Sequence, residues 1–227
     1  MINITKESTS KDEKTINNRK QGLKYIKEDK LNKNFMYRNL EKSDCYNCNF
    51  GRSNFDYASF RGAHFKSSNF DGCSFKFTEF VGTNLKNSSM KECIFKNAVF
   101  NSARIDGVSF KGAIFQDTIF INTDITKAKG IDLDTEGIVI MDSDIAIDIS
   151  EELTIAIINV RNNPYVKKSR VLDTSDGGIN NLSIKLLLEN FEEEKLIYAF
   201  GYISDNLDRP FYTLSYLIKY INQKITW

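Results

Sequence analysis

The sequence predicts a mainly β solenoid followed by a small, mostly helical unit. Three observations carry that prediction: large apolar residues recur at every fifth position from Phe35 to Ile125, a register of small residues runs two positions ahead of them, and the composition changes after residue 130. The length of 227 residues allows one or two domains with a real core. A hydrophobic content of 41% lies in the globular range and excludes wholesale disorder. With 31 basic and 30 acidic residues the net charge is +1, which singles out no class of partner. No run of 18 apolar residues is present to span a membrane. The opening MINITKESTSKDEK has no apolar core, so no secretory signal is expected and a cytoplasmic protein is.

The repeat dominates. Between Phe35 and Ile125 there are 19 beats, and 13 of them are Phe. The only off-beat Phe between Lys33 and Gly130 is Phe77. Neither a helix of period 3.6 nor a flat strand of period 2 holds a period of five over such a length, so the chain must turn once per repeat. From Ser43 to Ala128 the residue two before each beat is Ser, Cys, Ala or Thr, with Val108 the one exception. Residues two apart on an extended segment point the same way. Both registers therefore face one interior, and the small one lets neighbouring backbone approach. Two residues after the beat stand Gly62, Gly72, Gly82, Gly107 and Gly112, suited to turns that demand a positive φ. Short extended pieces of this kind bury their Phe only by stacking into a solenoid.

Segments such as SSNFD, GTNLK and RSNFD resemble the pentapeptide-repeat family, whose motif is a small residue, Asp or Asn, Leu or Phe, and two polar residues. The resemblance covers residues 33–130. It implies a right-handed, four-sided β-helix with four pentapeptides per coil, so that 19 beats make 4.75 coils. Phe35, Phe55, Phe75, Phe95 and Phe115 would then form one ladder. Lys33 and Arg38 occupy small-residue positions and mark a frayed or capped first coil.

Outside the repeat, residues 1–32 read as a polar tail ending in a short capping helix around Leu23, Tyr25 and Ile26. Residues 131–227 carry a net charge of −7 against +5 for residues 33–130. Ile138, Ile140, Ile145, Ile147 and Ile149 alternate as strands would. Ser150 is placed to cap a helix running to about Asn162, with Glu151 and Glu152 in its first turn and Pro164 beyond its end. Two further helices are expected, over Leu182–Tyr202 and Phe211–Ile221. The expected arrangement is a helical C-terminal unit, residues 131–227, that seals the last coil.

No catalytic, cofactor or metal site is expected. His64, the only His, lies one before a beat and points outward. Cys45 and Cys48 form C-x-x-C, yet Cys45 is a beat and Cys48, Cys73 and Cys93 fall in the small register, so all four read as buried free thiols. Asp132, Asp134, Glu136 and Gly137 mimic the opening of an EF-hand loop, but Ser143 stands where the twelfth-position Glu belongs. A solvated acidic turn is the expectation there.

Two surface sets stand out. Ile94, Val99, Ile114, Ile119 and Ile121 form an outward apolar patch, expected to be covered by the C-terminal unit or by a second subunit. Lys76, Lys86, Lys91, Lys96, Arg104 and Lys111 project outward as a basic set that an anionic partner would fit. The aromatics beside them are few, so nucleic acid is not expected, and neither are a membrane or a small-molecule substrate. The expected function is a non-catalytic binding scaffold with a protein partner, with a homodimer through the C-terminal unit left open. The resemblance carries one alternative: some family members are acidic DNA mimics that bind type II topoisomerase and protect it from inhibitors. The charge of +5 on the repeat runs against that alternative.

Overall fold

The computed structural model describes residues 22–141 and 146–225. Its first part is a parallel β-solenoid of about six coils. Asp44 pairs with His64, Asn49 with Asn69, Asn54 with Ser74 and Ser59 with Glu79, always 20 residues apart. At one beat per five residues, that offset makes each coil four-sided. The sides are numbered here in chain order; in the second coil they carry Cys45, Phe50, Phe55 and Phe60.

Most sides are too short to form more than a bridge, and the longer ones are strands. β1 (Lys24–Ile26) pairs with β2 (Asp44–Tyr46) on side one. Side four stacks β3 (Glu79–Val81), β5 (Val99–Asn101), β7 (Thr118–Ile121) and β8 (Ile138–Met141), whereas side three pairs β4 (Ile94–Lys96) with β6 (Ile114–Gln116).

The corners explain the five-residue period. Arg38 N–H donates to the Phe35 carbonyl at 3.1 Å, closing a four-residue turn, and the same bond recurs from Ala58 to Phe55 at 3.0 Å. The residue two after the beat has a positive φ at all twenty corners from Lys27 to Asn122, and only five of them are Gly. The rest, including Tyr37, Tyr57 and Phe77, hold a backbone conformation that L-residues resist.

Two polar registers then satisfy the backbone of this narrow tube. Small-register hydroxyls and thiols donate to the beat carbonyl one coil below: Thr78 Oγ1 to Phe55 at 2.8 Å, Thr83 Oγ1 to Phe60 at 2.8 Å, Cys93 Sγ to Phe70 at 3.0 Å. Asn before the beat folds back on its own turn, as Asn54 Oδ1 accepts Asp56 N–H and Asn69 Oδ1 accepts Asp71 N–H, both at 2.8 Å.

The core is a set of ring ladders. On side three Phe35, Phe55, Phe75, Phe95 and Phe115 stack with centroids 4.8–5.3 Å apart and planes within 11°. On side four Phe60, Phe80, Phe100 and Phe120 stack at 4.4–4.9 Å, with planes 27° apart at Phe60–Phe80 and within 9° above it. Neighbouring ladders meet edge to face, as Phe70 meets Phe75 at 64°, which combines both favoured ring geometries.

The solenoid extends beyond the expected limits of 33 and 130 at both ends. Leu23, Tyr25 and Ile26 lie in or beside the first-coil strand β1 rather than in a capping helix, because β1 pairs in register with β2. Tyr25 and Lys30 take the first two beat positions. Lys30 Nζ lies 4.4 Å over the Tyr25 ring and 2.7 Å from Glu28, so a charged side chain lies over the aromatic one at this end. Of the expected tail, residues 1–32, positions 1–21 fall outside the described residues. At the other end β8 continues the 20-residue register, with Ile140 above Phe120, although Gly130 and Thr135 have replaced the large beat residues. Gly137, at φ +80°, sits where any Cβ would run into the Phe115 carbonyl. Of the second isoleucine run, Ile145 lies outside the described residues, and Ile147 and Ile149 are not in a strand.

The second part holds five helices among the described residues: α1 (Glu151–Val160), α2 (Pro164–Ser169), α3 (Asn181–Leu188), α4 (Glu193–Asn206) and α5 (Leu214–Lys224). Ser150 caps α1 as expected, its Oγ accepting Leu153 N–H at 3.0 Å. Pro164 opens α2 rather than only ending α1. Asn163 caps it, and Pro at the first helical position loses no bond. The single helix expected over Leu182–Tyr202 is two, broken where Phe191 turns into the core. The core of this part comprises Leu153, Ile157, Ile184, Leu196, Phe200 and Ile221 among others.

The expectation that this unit seals the last coil is not met. It lies along side four instead, and Ile140 on the final coil stays 48% exposed. The reason lies in the residues of side four.

Candidate functional site

Side four is the junction between solenoid and helices. Its outward positions from the third coil on are Glu79, Val81, Val99, Asn101, Ile119, Ile121, Val139 and Met141, a predominantly apolar strip. Helix α5 descends along it. Leu214 N–H, at the start of α5, donates to Glu79 Oε1 in the third coil at 2.5 Å. Five residues on, Lys219 Nζ donates to the Tyr37 hydroxyl in the first coil at 2.8 Å. Later helix residues thus meet earlier coils, so helix and solenoid run in opposite directions; five residues of helix rise about 7.5 Å against about 10 Å for two coils, and the long Lys219 side chain spans the rest.

The corner beside side four carries a third aromatic ladder, on the outside. Tyr37, Tyr57 and Phe77 stack at 4.9 and 4.7 Å. Lys219 Nζ sits 4.9 Å from the Tyr57 ring and 5.3 Å from the Tyr37 ring, a cation–π contact with both. Tyr216 meets Tyr37 edge-on at 5.8 Å. The Tyr37 hydroxyl holds the Lys219 ammonium above its ordinary pKa.

Glu79 is the buried charge of the junction, 6% exposed. Burial pushes its carboxyl above the usual range, while the Arg61 charge and the Leu214 N–H pull it back down. Arg61 Nε is itself buried without a hydrogen-bond partner. Above this pair the surfaces part into a cleft of about 520 Å³, where Phe77, Val99, Ile119 and Val139 face Leu186 and Ile218.

The expected apolar patch is therefore divided. Ile94 stacks under Ile114 and Val99 under Ile119, as the four-sided register requires. Val99 and Ile119 line the cleft toward the helices, and Ile121 is 3% exposed. Ile94 and Ile114 lie on side three and remain open, 39% and 62% exposed. The basic set is likewise not one face. The register places Lys86 and Arg104 on side one, Lys91 and Lys111 on side two, and Lys76 and Lys96 on side three. Only pairs of them are brought together.

The remaining candidates fall where the periodicity puts them. His64 is exposed on side one. All four cysteines are buried and free. Burial pushes the thiols of Cys45 and Cys73 up to about 12, and raises that of Cys93 as well. Asp132 spends its carboxylate inside its own turn, accepting Asp134 N–H at 3.2 Å and the Thr135 hydroxyl at 3.1 Å. Ser143 lies outside the described residues. Among the described residues no group of three or more His, Cys, Asp or Glu is arranged to hold a metal ion, and no helix is long and apolar enough to cross a membrane.

Sequence reasoning missed the junction. Tyr37, Tyr57 and Phe77 share one register, 20 residues apart, and that was the available signal; Leu214, Tyr216 and Lys219 carry no comparable mark.

Coil geometry, corner pattern and Phe ladders together define a parallel, four-sided β-helix built of pentapeptides. Family models described as pentapeptide repeats match residues 43–76 with 8 copies and residues 80–124 with 9, so the solenoid of this chain is a pentapeptide-repeat segment. No curated protein matches it. Among solved structures it is similar to the pentapeptide-repeat protein Rfr23 of the cyanobacterium Cyanothece 51142, with 12% identity, 53% of this chain and 85% of that one covered, and a TM-score of 0.35. HetL of Nostoc, involved in heterocyst differentiation regulation, matches at 17% identity over 40% of each chain with a TM-score of 0.33. QnrB1, a plasmid-mediated fluoroquinolone resistance protein, matches at 15% identity over 54% of this chain and 87% of that one, also with a TM-score of 0.33.

Proposed function

We propose that the protein is a non-catalytic binding scaffold, holding its helical unit on side four and offering side three to a protein partner in the cytoplasm. The observation that carries this reading is the in-register pair Ile94 and Ile114, left 39% and 62% exposed on rigid paired strands. Lys76 and Lys96 stand beside them. Scattered surface isoleucines need no explanation, but two stacked on one sheet and bordered by lysines fit a partner with an apolar contact and an acidic rim. The non-catalytic part rests on chemistry: the single His is exposed on side one, and the thiols are buried with raised pKa values, the opposite of an activated nucleophile. Unpaired cysteines accord with a reducing compartment.

The test is quantitative capture of proteins by the full chain, by the double variant Ile94→Glu/Ile114→Glu, and by Lys111→Glu on side two. A partner retained by Lys111→Glu and lost by the double variant supports the reading. Equal capture by all three sinks it.

A further inference from the structure

The helical unit is acidic overall, yet its positive charge is concentrated. Of the nine Lys and Arg residues in 131–227, four fall between 161 and 170. Arg161, Lys167 and Arg170 line one open cleft of about 440 Å³ together with the loop residues Asp173, Thr174 and Ser175. Clefts of this size take small ligands.

Asp173 is the only carboxylate in the lining, and it is already engaged. Arg161 Nε donates to Asp173 Oδ1 at 2.5 Å and its Nη2 to the Gly177 carbonyl at 2.6 Å, so Arg161 pins the loop. Lys167 and Arg170 make no ion pair among the described residues. Lys167 and Arg170 thus line the cleft, together with Ser175, without an ion pair of their own.

The backbone of Arg170 adds a separate observation. It sits just past the end of α2 at φ +58° and ψ 17°. Outside the solenoid corners it is the only non-Gly residue with a positive φ among the described residues. Helices end in this conformation most readily on Gly. A cation here also suits the helix dipole, but Lys167 and Lys168 in the last turn of α2 already serve that need. Arg170 thus stands at a position where the backbone favours Gly.

We infer that this cleft binds a phosphate monoester. Lys167 and Arg170 take the dianion, the guanidinium offering a planar fork and the ammonium a point charge, and Ser175 donates a hydrogen bond. The site is separate from side three and does not depend on which macromolecule the solenoid binds.

The experiment is titration of the full chain with inorganic phosphate and with glycerol 3-phosphate in a low-salt buffer free of other phosphates, read by calorimetry and by amide NMR shifts. Wild type is expected to show saturable binding of at least one probe, with the shifts confined to residues 161–177. Arg170→Gly and Lys167→Gln are each expected to weaken it at least tenfold. Arg170→Gly without ligand should unfold at the same temperature as wild type or higher, since Gly relieves the positive φ. Ile94→Glu/Ile114→Glu should bind as wild type, which separates failure of this site from failure of the scaffold reading. No saturable binding of either probe by wild type, or undiminished binding by both Arg170→Gly and Lys167→Gln, overturns the proposal.

Discussion

Glu79 in the third coil accepts the backbone N–H of Leu214, 135 residues later in the chain, at 2.5 Å, and through this bond the start of α5 is tied to the side of the solenoid. A buried carboxylate here is an expensive way to satisfy one N–H, and its cost depends on pH. Because burial raises the folded-state pKa of Glu79, its contribution is fully present below the ordinary carboxylate range and is lost as pH rises through that raised value. Glu79→Gln keeps an acceptor and removes the charge. The thermal midpoint of wild type relative to Glu79→Gln should therefore rise on acidification from neutral pH. A difference that does not vary with pH would show that Glu79 is not buried as a charge.

The Phe ladders imply a steep packing cost. Phe75 is fully buried and touches rings above, below and on two sides. Phe75→Ala should destabilise the solenoid by about 3–5 kcal/mol, measured by urea unfolding. A loss near that of a surface change would mean that the coils do not stack as described.

Hydroxyls in the small register make a subtler demand. Thr78→Val keeps shape and removes the bond from Thr78 Oγ1 to the Phe55 carbonyl. Val108 shows that an isopropyl group fits this register, fully buried. The expected loss is about 1 kcal/mol, from the hydrogen bond alone.

Corners predict the opposite sign. Glu92 is exposed at φ +55°, and Glu92→Gly should stabilise by several tenths to about 1 kcal/mol, because relief of the left-handed strain outweighs the added freedom of the unfolded chain. The same substitution in an ordinary strand would destabilise, so the sign of the change in unfolding free energy decides.

A type II topoisomerase supercoiling reaction should proceed unchanged in the presence of this protein. DNA mimicry needs an acidic solenoid, and residues 33–130 carry +5, with Lys76, Lys86, Lys91, Lys96, Arg104 and Lys111 distributed over three sides. Inhibition, or protection against an inhibitor, would restore the alternative that the family resemblance raised.

The repeat was legible because its physics is local: each Phe beat must turn inward, and nothing else in the chain competes with that period. The end coils were not, because Tyr25, Lys30, Gly130 and Thr135 keep the register while abandoning the apolar beat. Helix α1 was legible from Ser150, Glu151 and Glu152. The break between α3 and α4 was not, since Phe191 makes it by packing and no Gly or Pro marks it. Placement of the helices along side four depends on Glu79 and the outward rings of Tyr37 and Tyr57, whose partners Leu214 and Lys219 lie more than a hundred residues away. Periodicity assigns such residues a direction but not a neighbour.

Amide exchange at Leu214 tests most directly whether the helical unit is docked on side four. The structure predicts a slowly exchanging Leu214 N–H in the full chain, and rapid exchange at that amide in Glu79→Ala while the core of the solenoid stays protected. A Leu214 amide that exchanges freely in wild type, or that is equally protected in Glu79→Ala, would contradict the docking of α5 on the solenoid.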